Sequence, residues 1–419
     1  MTLPGAPVAR KAAERAIVVL LFLIPFSKAA IEILFPILLL LWLLGWVCAD
    51  PEKAIGVWRS PLARGVLLGL LAYLFFCALS VAASSNPILS LRGLVRKTLE
   101  YALFFVIAAE VAQNPAVARR SLWALVTAGC LVLAWGLLQE FVIVLKLIPG
   151  IPLDPFLWKP LLHGRMVGPY ENPNDLATFL MVVASLLLSL ALGGQRRSIG
   201  LWGLVLLFLG GMAWTHSRGA LLGLAAALAF LTLFYGRRKP VGWLAVGLLL
   251  VVSAFLFIRK GHISELFAFA DAGSRDRIVM WRTAWHMIQA RPIAGVGLNT
   301  FMFNYGSFSG EPNSGPAYAH NGFLQTAAEI GIPGLLVFLL FLAFWFTVLW
   351  RTIRSALPVE DPLFPVLAGM GAAGIAFLVQ STFDTNFYAL RQAVLFWTLA
   401  GVALGTAVGC LQRTDPSRA

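Results

Sequence analysis

"AHNGFLQTAAEIGIPGLLVFLLFLAFWFTVLW", residues 319–350, holds the reading that decides the fold. From Leu335 to Trp350 only Thr347 is not apolar. With Gly331–Gly334 this run reaches about 20 residues, the length of one helical crossing of a ~30 Å hydrocarbon core. A backbone in lipid finds no water to satisfy its N–H and C=O groups, so a spanning segment must be helical unless it closes into a barrel, and no alternating strand pattern is present. The same kind of run recurs along the chain, near 13–26, 31–48, 63–82, 98–112, 120–145, 175–193, 199–214, 218–235, 241–258, 331–350, 363–383 and 392–411. The expectation is an all-α integral membrane protein of about twelve transmembrane helices, with 1–258 and 331–419 as membrane regions and 259–330 as one long loop between them. The first span is short, and it could pair with the second as a re-entrant hairpin around Pro25-Phe26-Ser27-Lys28.

Composition agrees: 59% of the 419 residues are hydrophobic and 12% charged, where about 25% charge is usual for a soluble domain. The formal net charge of +13 therefore has to be sorted by membrane side before a partner is read from it, and no basic patch interleaved with aromatics suits nucleic acid. Cys48, Cys77, Cys130 and Cys410 lie in or at the edge of apolar runs without C-x-x-C spacing, which indicates neither a zinc site nor a disulfide framework. Arg10, Lys11 and Arg15 precede an apolar stretch with no small-residue cleavage site after it, so that stretch reads as a retained first span.

The short loops holding Arg10/Lys11/Arg15, Lys53/Arg59/Arg64, Arg119/Arg120, Arg196/Arg197, Arg237/Arg238/Lys239 and Arg351/Arg354 all fall on one side. By the positive-inside tendency that side is cytoplasmic, with both termini. The loop 259–330 then lies outside, as do the segments around Arg92/Arg96/Lys97, Arg165, Arg218 and 384–391. A connection of about 70 residues between spans is long enough to imply function. Within it, Arg275–Pro292 has Ile278, Met280, Trp281, Trp285 and Ile288 near helical spacing, an amphipathic helix ending before Pro292.

Basic residues on the outer side run against that tendency. Each alone reads equally well as an arginine snorkelling to lipid headgroups. Together, Arg92, Arg96, Lys97, Arg165, Arg218, Arg275 and Arg277 make a cationic surface whose guanidinium forks match phosphate oxygens, so a lipid-linked phosphate or diphosphate at the interface is the first partner to consider. In "HGRMVGPYENPNDLATF" (163–179), Asn174 or Asp175 is the expected helix cap, whereas Arg165 is disfavoured near a helix N-terminus and needs another reason. His320 and Asn321 end the long loop; residues 322–330 predict a short helix along the membrane surface, bent into the next span at Gly331, Pro333 and Gly334. A lone histidine is most often a polar surface or capping residue. Beside collected cations, however, its neutral imidazole is favoured, and that is a competent general base.

His-Asn-x9-Gly-x-x-Gly, matched by His320, Asn321, Gly331 and Gly334, resembles the pattern of the O-antigen ligase family, which includes O-antigen polymerases and bacterial O-oligosaccharyltransferases. Three further elements carry the resemblance: Arg277-x3-Trp281 followed by Arg-Pro-x-x-Gly-x-Gly at 291–297, Gly-x-x-x-Asn-Pro-Asn at 168–174, and Ser-Arg-Gly around Arg218. The resemblance implies a GT-C type glycosyltransferase that takes a glycan from undecaprenyl diphosphate on the periplasmic face of a Gram-negative inner membrane, without cofactor or metal ion, and transfers it to lipid A-core oligosaccharide. It makes His320 the general base, and Arg218 and Arg277, with Arg275 or Arg165, the cations on the leaving diphosphate. Asn321, Asn174 and Trp281 support them; Asp384 would orient His320 or the acceptor, though a helix-end role reads more simply. Arg275 and Arg277 diverge by about 200° on a helix, so one of them faces the phosphate, and the Trp281 spacing favours Arg277. A polymerase or O-oligosaccharyltransferase would share the donor chemistry. A flippase would instead place charges near the bilayer midplane, and here they gather at the outer edge.

Overall fold

A computed structural model describes residues 6–48, 56–144, 164–193, 198–236, 272–310 and 317–414. Fourteen α-helices and no strand occur among them. In chain order these are α1 (Ala6–Leu23), α2 (Lys28–Cys48), α3 (Pro61–Ala82), α4 (Pro87–Gly93), α5 (Leu99–Val111), α6 (Pro115–Val144), α7 (Pro173–Leu192), α8 (Ser198–Trp214), α9 (Arg218–Tyr235), α10 (Ala272–Ala290), α11 (Phe301–Phe308), α12 (Gly322–Ser355), α13 (Phe364–Gln380) and α14 (Leu390–Thr414). Eleven of the twelve expected spans coincide with helices; the span at 241–258 lies outside the described residues. Seven helices are long and apolar enough to cross a membrane, and two shorter apolar helices join them. The chain's described residues are those of an all-helical membrane protein.

Which helices form the centre follows from burial. The apolar windows of α7 and α14 are 89% and 94% buried, although their sequences are as lipid-like as that of α2, which is 11% buried and rides at the periphery. Packing of α7 against α8, α9 and α13, and of α14 against α5 and α12, builds one contiguous apolar core.

Loop-to-loop hydrogen bonds sort the bundle into two ends. At one end Lys28 donates to Glu171 (2.8 Å), Arg165 Nε to the Thr215 carbonyl (2.9 Å), Arg391 to the Pro169 carbonyl (2.8 Å) and the Ser85 backbone N–H to Val296 (3.2 Å). At the other, Gln412 donates to the Gly56 carbonyl (3.0 Å), Tyr235 to that of Ser189 (3.0 Å) and Ser189 to that of Pro365 (2.7 Å). Each pairing joins segments that the alternation of spans predicts on one side. The second end also holds Glu110, whose carboxylate accepts from three indole N–H groups: Trp42 (2.7 Å), Trp46 (3.0 Å) and Trp58 (2.7 Å).

At the first end α12 is broken. Gly331 has φ 78° and ψ 169°, a conformation essentially restricted to glycine. The break lets residues 291–300 fold over the helix: Val296 N–H donates to the Ala328 carbonyl (2.9 Å), Gly297 N–H to that of Glu329 (3.1 Å), and Ile332 N–H to that of Pro292 (2.8 Å). A Cβ at Gly331 would strike the Ile293 carbonyl and one at Gly295 the Glu329 carbonyl, so the glycines of the two motifs are the two faces of one backbone clasp. Glu329, 1% exposed, fastens it by accepting from the N–H groups of Asn299 (2.7 Å) and Phe301 (3.2 Å). Residues 322–330 therefore do not lie along a membrane surface. They form an interior half-helix, buried from Gln325 to Gly331 and tied to α3 by Ser80 Oγ donating to the Glu329 carbonyl (2.6 Å).

The helix expected at 275–292 is α10, ending at Ala290. Its inward face differs from the expectation: Ala284, Met287 and Ile288 are buried, while Ile278 and Trp285 are exposed. The small Thr283 and Ala284 set that face, because they allow close approach to α11 and α12, and side-chain size escapes a count of large apolar residues.

Candidate active site

His320 and Asn321 stand at the start of α12. Asn321 caps the helix, its side-chain oxygen accepting from the N–H groups of Phe323 (3.1 Å) and Leu324 (3.0 Å). His320 has φ 46°, the left-handed region, and is held there by Gly322 N–H, which donates to the carbonyls of Ser381 (2.7 Å) and Asp384 (3.0 Å). A non-glycine residue there costs on the order of 1–2 kcal/mol, which the clamp to the 381–384 turn offsets. The side chain is one-third exposed, and its Nδ1 lies 3.1 Å from Asp384 Oδ1. Asp384 is 7% exposed, and the same oxygen accepts from Thr385 N–H (2.8 Å). An ionised carboxylate only accepts, so facing one would place a proton on Nδ1 and turn Nε2 away from Asp384. The carboxylate thus sits against the imidazole as well as accepting from its own turn.

Arg165 lies beside them. Its Nε donates to the Thr215 carbonyl (2.9 Å) and Nη2 to Asn174 Oδ1 (3.0 Å). Burial pushes its pKa down, the Arg277 charge pushes it further down, and Asp384 opposes both. Arg277 and Asp384 are therefore each within electrostatic reach of Arg165. Asn174 is not the cap of α7; Asn172 is, accepting from Asn174 N–H (2.8 Å) and leaving the Asn174 carboxamide to hold Arg165. The intervening Pro173 explains the shift, since it suits the first helical position and pushes the cap back to residue 172.

Arg218 is the exposed first residue of α9, behind the cap Ser217. Its neighbour Gly219 packs against Phe383, which brings the α9 N-terminus to the turn that carries Asp384. A guanidinium at a helix N-terminus works against the helix dipole, and both attract an anion. Trp281 is half-buried with its indole N–H enclosed and without a hydrogen-bond partner. Arg275 belongs to α10, but its side chain lies outside the described residues. Arg92 and Arg96 are exposed, whereas Lys97 leaves the expected cationic surface: a π-helical turn at Leu94–Thr98 swings it inward to donate to Asn299 Oδ1 (2.9 Å). Burial pushes the Lys97 pKa down, with Glu329 opposing.

Sequence reasoning missed Glu329 and Arg391. Glu329 is a lone carboxylate in an otherwise uncharged stretch from Gly322 to Trp350, which is itself a signal. Arg391 donates to the Pro169 carbonyl and lies 5.1 Å from the centre of the Tyr170 ring, locking the 168–174 turn onto the last helix.

Comparison with known proteins meets this geometry in the part of the chain from α8 to α12. Residues 202–339 match the family model described as O-antigen ligase. The family resemblance holds. Proteins of Rickettsia felis and Rickettsia conorii, both named "Putative polysaccharide ligase", are similar at 25% and 26% identity over 170 and 172 residues. Each match covers 37% of this chain and 40% of the relative, so the chain spans less than half the length of the curated relatives it matches.

Proposed function

We propose that the chain is a glycosyltransferase that moves O-antigen glycan from undecaprenyl diphosphate to a sugar hydroxyl of lipid A-core oligosaccharide, at the periplasmic end of the bundle in a Gram-negative inner membrane. The observation that carries the reading is the His320–Asp384 pair, 3.1 Å apart, within a cluster that includes Arg165 and Arg277. A base beside a field of guanidinium groups suits a reaction in which a hydroxyl must lose a proton as a diphosphate gains charge.

The acceptor hydroxyl oxygen attacks the anomeric carbon and forms the new glycosidic bond while the bond from that carbon to the diphosphate oxygen breaks. The hydroxyl proton passes to His320 Nε2, and the electron pair of the broken bond leaves on the lipid diphosphate. Asp384 stabilises the imidazolium as it forms and fixes the ring's tautomer. Arg277 and Arg218, with Arg165 in support, stabilise the leaving group as preorganised cations. A single direct displacement inverts the anomeric centre, and no metal ion is needed where guanidinium groups take up the charge. The match to the O-antigen ligase model over 202–339 supports glycan transfer of the ligase or polymerase type.

The test incubates purified protein with undecaprenyl-diphosphate glycan, chelator, and either rough lipopolysaccharide or a second donor molecule. Glycan on the lipopolysaccharide is expected. Longer lipid-linked chains would make the chain a polymerase, and flux across liposomes without a new glycosidic bond would end the proposal.

A further inference from the structure

A second feature lies beside the first turns of α12, close to His320. A cavity of about 40 Å³ opens between α3, the π turn, α5, α12 and α14, with Tyr73, Lys97, Tyr101, Asn299, Tyr388 and Trp397 among its walls. That is room for about three water molecules or the edge of one larger group. It borders the site: Thr326, in its wall, donates to the carbonyl of Gly322 (2.7 Å), and the ring of Tyr388 lies 6.2 Å from that of Tyr318, two residues before His320.

Two polar groups in this cavity have capacity that the protein does not use. Tyr101 is 4% exposed, and its hydroxyl is fully buried without a hydrogen-bond partner. The Lys97 ammonium has three donors and makes one hydrogen bond, to Asn299. A buried hydroxyl left unpaired costs roughly 1–3 kcal/mol, so this one has a hydrogen bond to offer to whatever enters the cavity. The walls around these donors are aromatic, with Tyr73 stacked on Trp397 at 26°. Aromatic faces with a few convergent donors suit a ring that is apolar on its faces and hydroxylated at its rim. Charge narrows the choice further. Among the described lining residues Lys97 alone is charged, and the cavity has none of the guanidinium forks that match phosphate oxygens, so it is poorly suited to a phosphate.

We propose that this cavity is the acceptor subsite, taking the edge of a neutral sugar ring, with the Tyr101 O–H and the Lys97 ammonium donating to its oxygens. This rests on the glycosyl-transfer reading above and deepens it: the diphosphate binds by the arginines and the acceptor sugar by the tyrosines, so that the anomeric carbon comes between acceptor oxygen and leaving group as an in-line displacement requires, with His320 against the acceptor hydroxyl.

Tyr101→Phe removes one oxygen that no protein group uses, so the fold is kept and thermal stability is equal to or above that of the wild type. In the transfer assay it raises the acceptor KM about five- to tenfold and leaves the donor KM where it was. An unchanged acceptor KM, or a rise in the donor KM in its place, overturns the proposal. A second measurement stands apart from turnover: saturation-transfer NMR on the purified protein with methyl α-glucoside, methyl α-galactoside, methyl α-mannoside and glucose 6-phosphate. Signals from at least one neutral glycoside that are lost in Tyr101→Phe support the subsite even where no glycosidic bond is made, which would then count against the transfer reading alone. No signal, equal signals in both proteins, or preference for the sugar phosphate refutes the subsite itself.

Discussion

Asp384→Asn tests the proposed chemistry most directly, because it alters one charge and little shape. The carboxylate accepts at Oδ1 from His320 Nδ1 (3.1 Å) and from Thr385 N–H (2.8 Å), and an asparagine oxygen can accept both bonds in the same place. What is lost is charge assistance. A hydrogen bond to a charged group contributes about 1.5–3 kcal/mol against about 0.5–1.5 for a neutral one, so stabilisation of the developing imidazolium falls by about 1–1.5 kcal/mol. That converts to roughly a 5- to 15-fold drop in kcat. Asp384→Ala removes the orienting acceptor as well and should cost on the order of 100-fold, within the range that a positioned general base supplies. The donor constant should move the other way. Asp384 opposes the crowding of Arg165 and Arg277, so its neutralisation leaves the site more positive and the donor KM constant or lower. Both constants are read by titrating lipid-linked donor at saturating lipopolysaccharide. A donor KM raised tenfold with kcat intact would mean that the carboxylate serves binding, and the pairing with His320 would have no catalytic meaning.

Four further outcomes are expected. Gly331→Ala forces a glycine-only conformation on alanine, costing about 1–3 kcal/mol before the collision with Ile293, and should lower the melting temperature and the yield of folded protein; wild-type stability would refute the clasp. Arg165→Lys cannot reproduce the simultaneous contacts to Thr215 and Asn174, so the donor KM should rise about tenfold, whereas full rescue by lysine would reduce the role of Arg165 to that of a point charge. Glu110→Ala leaves the indole N–H groups of Trp42 and Trp58 without their acceptor and should destabilise the far end of the bundle by roughly 2–4 kcal/mol, visible in tryptophan-fluorescence unfolding. Lys97 has a folded-state pKa below its ordinary 10.5, so the unfolded chain binds more protons between the two values and stability rises with pH through that window; Lys97→Met should flatten this limb in pH-dependent thermal melts while weakening acceptor use.

The architecture was legible because lipid imposes a length rule that composition alone can answer, and the alternation of loops then assigned the segments that share one end of the bundle before any contact was known. That logic predicted that segments carrying Arg165, Thr215 and Asp384 share one end, and the hydrogen bonds of Arg165 and Gly322 join them there. It could not predict direction. Lys97 belongs to the same end, yet one extra residue in a π turn rotates it inward, and no hydropathy pattern distinguishes a helix with that turn from one without it.

Motif spacing raises a different issue. The glycines at 295 and 331 are 36 positions apart and read as two unrelated turns, yet each is required by the other's backbone: Gly331 clears the Ile293 carbonyl, and Gly295 clears that of Glu329. Because the clasp fixes residues 328–332, it also fixes where the half-helix from Gly322 begins, and so where His320 meets Asp384. A change at Gly295 or Gly331 should therefore cost activity beyond its cost in stability, since a shift of about 1 Å at the start of α12 is enough to misplace a base. If Gly295→Ala protein that does fold kept wild-type kcat, positioning of the histidine would have to come from the 381–384 turn alone.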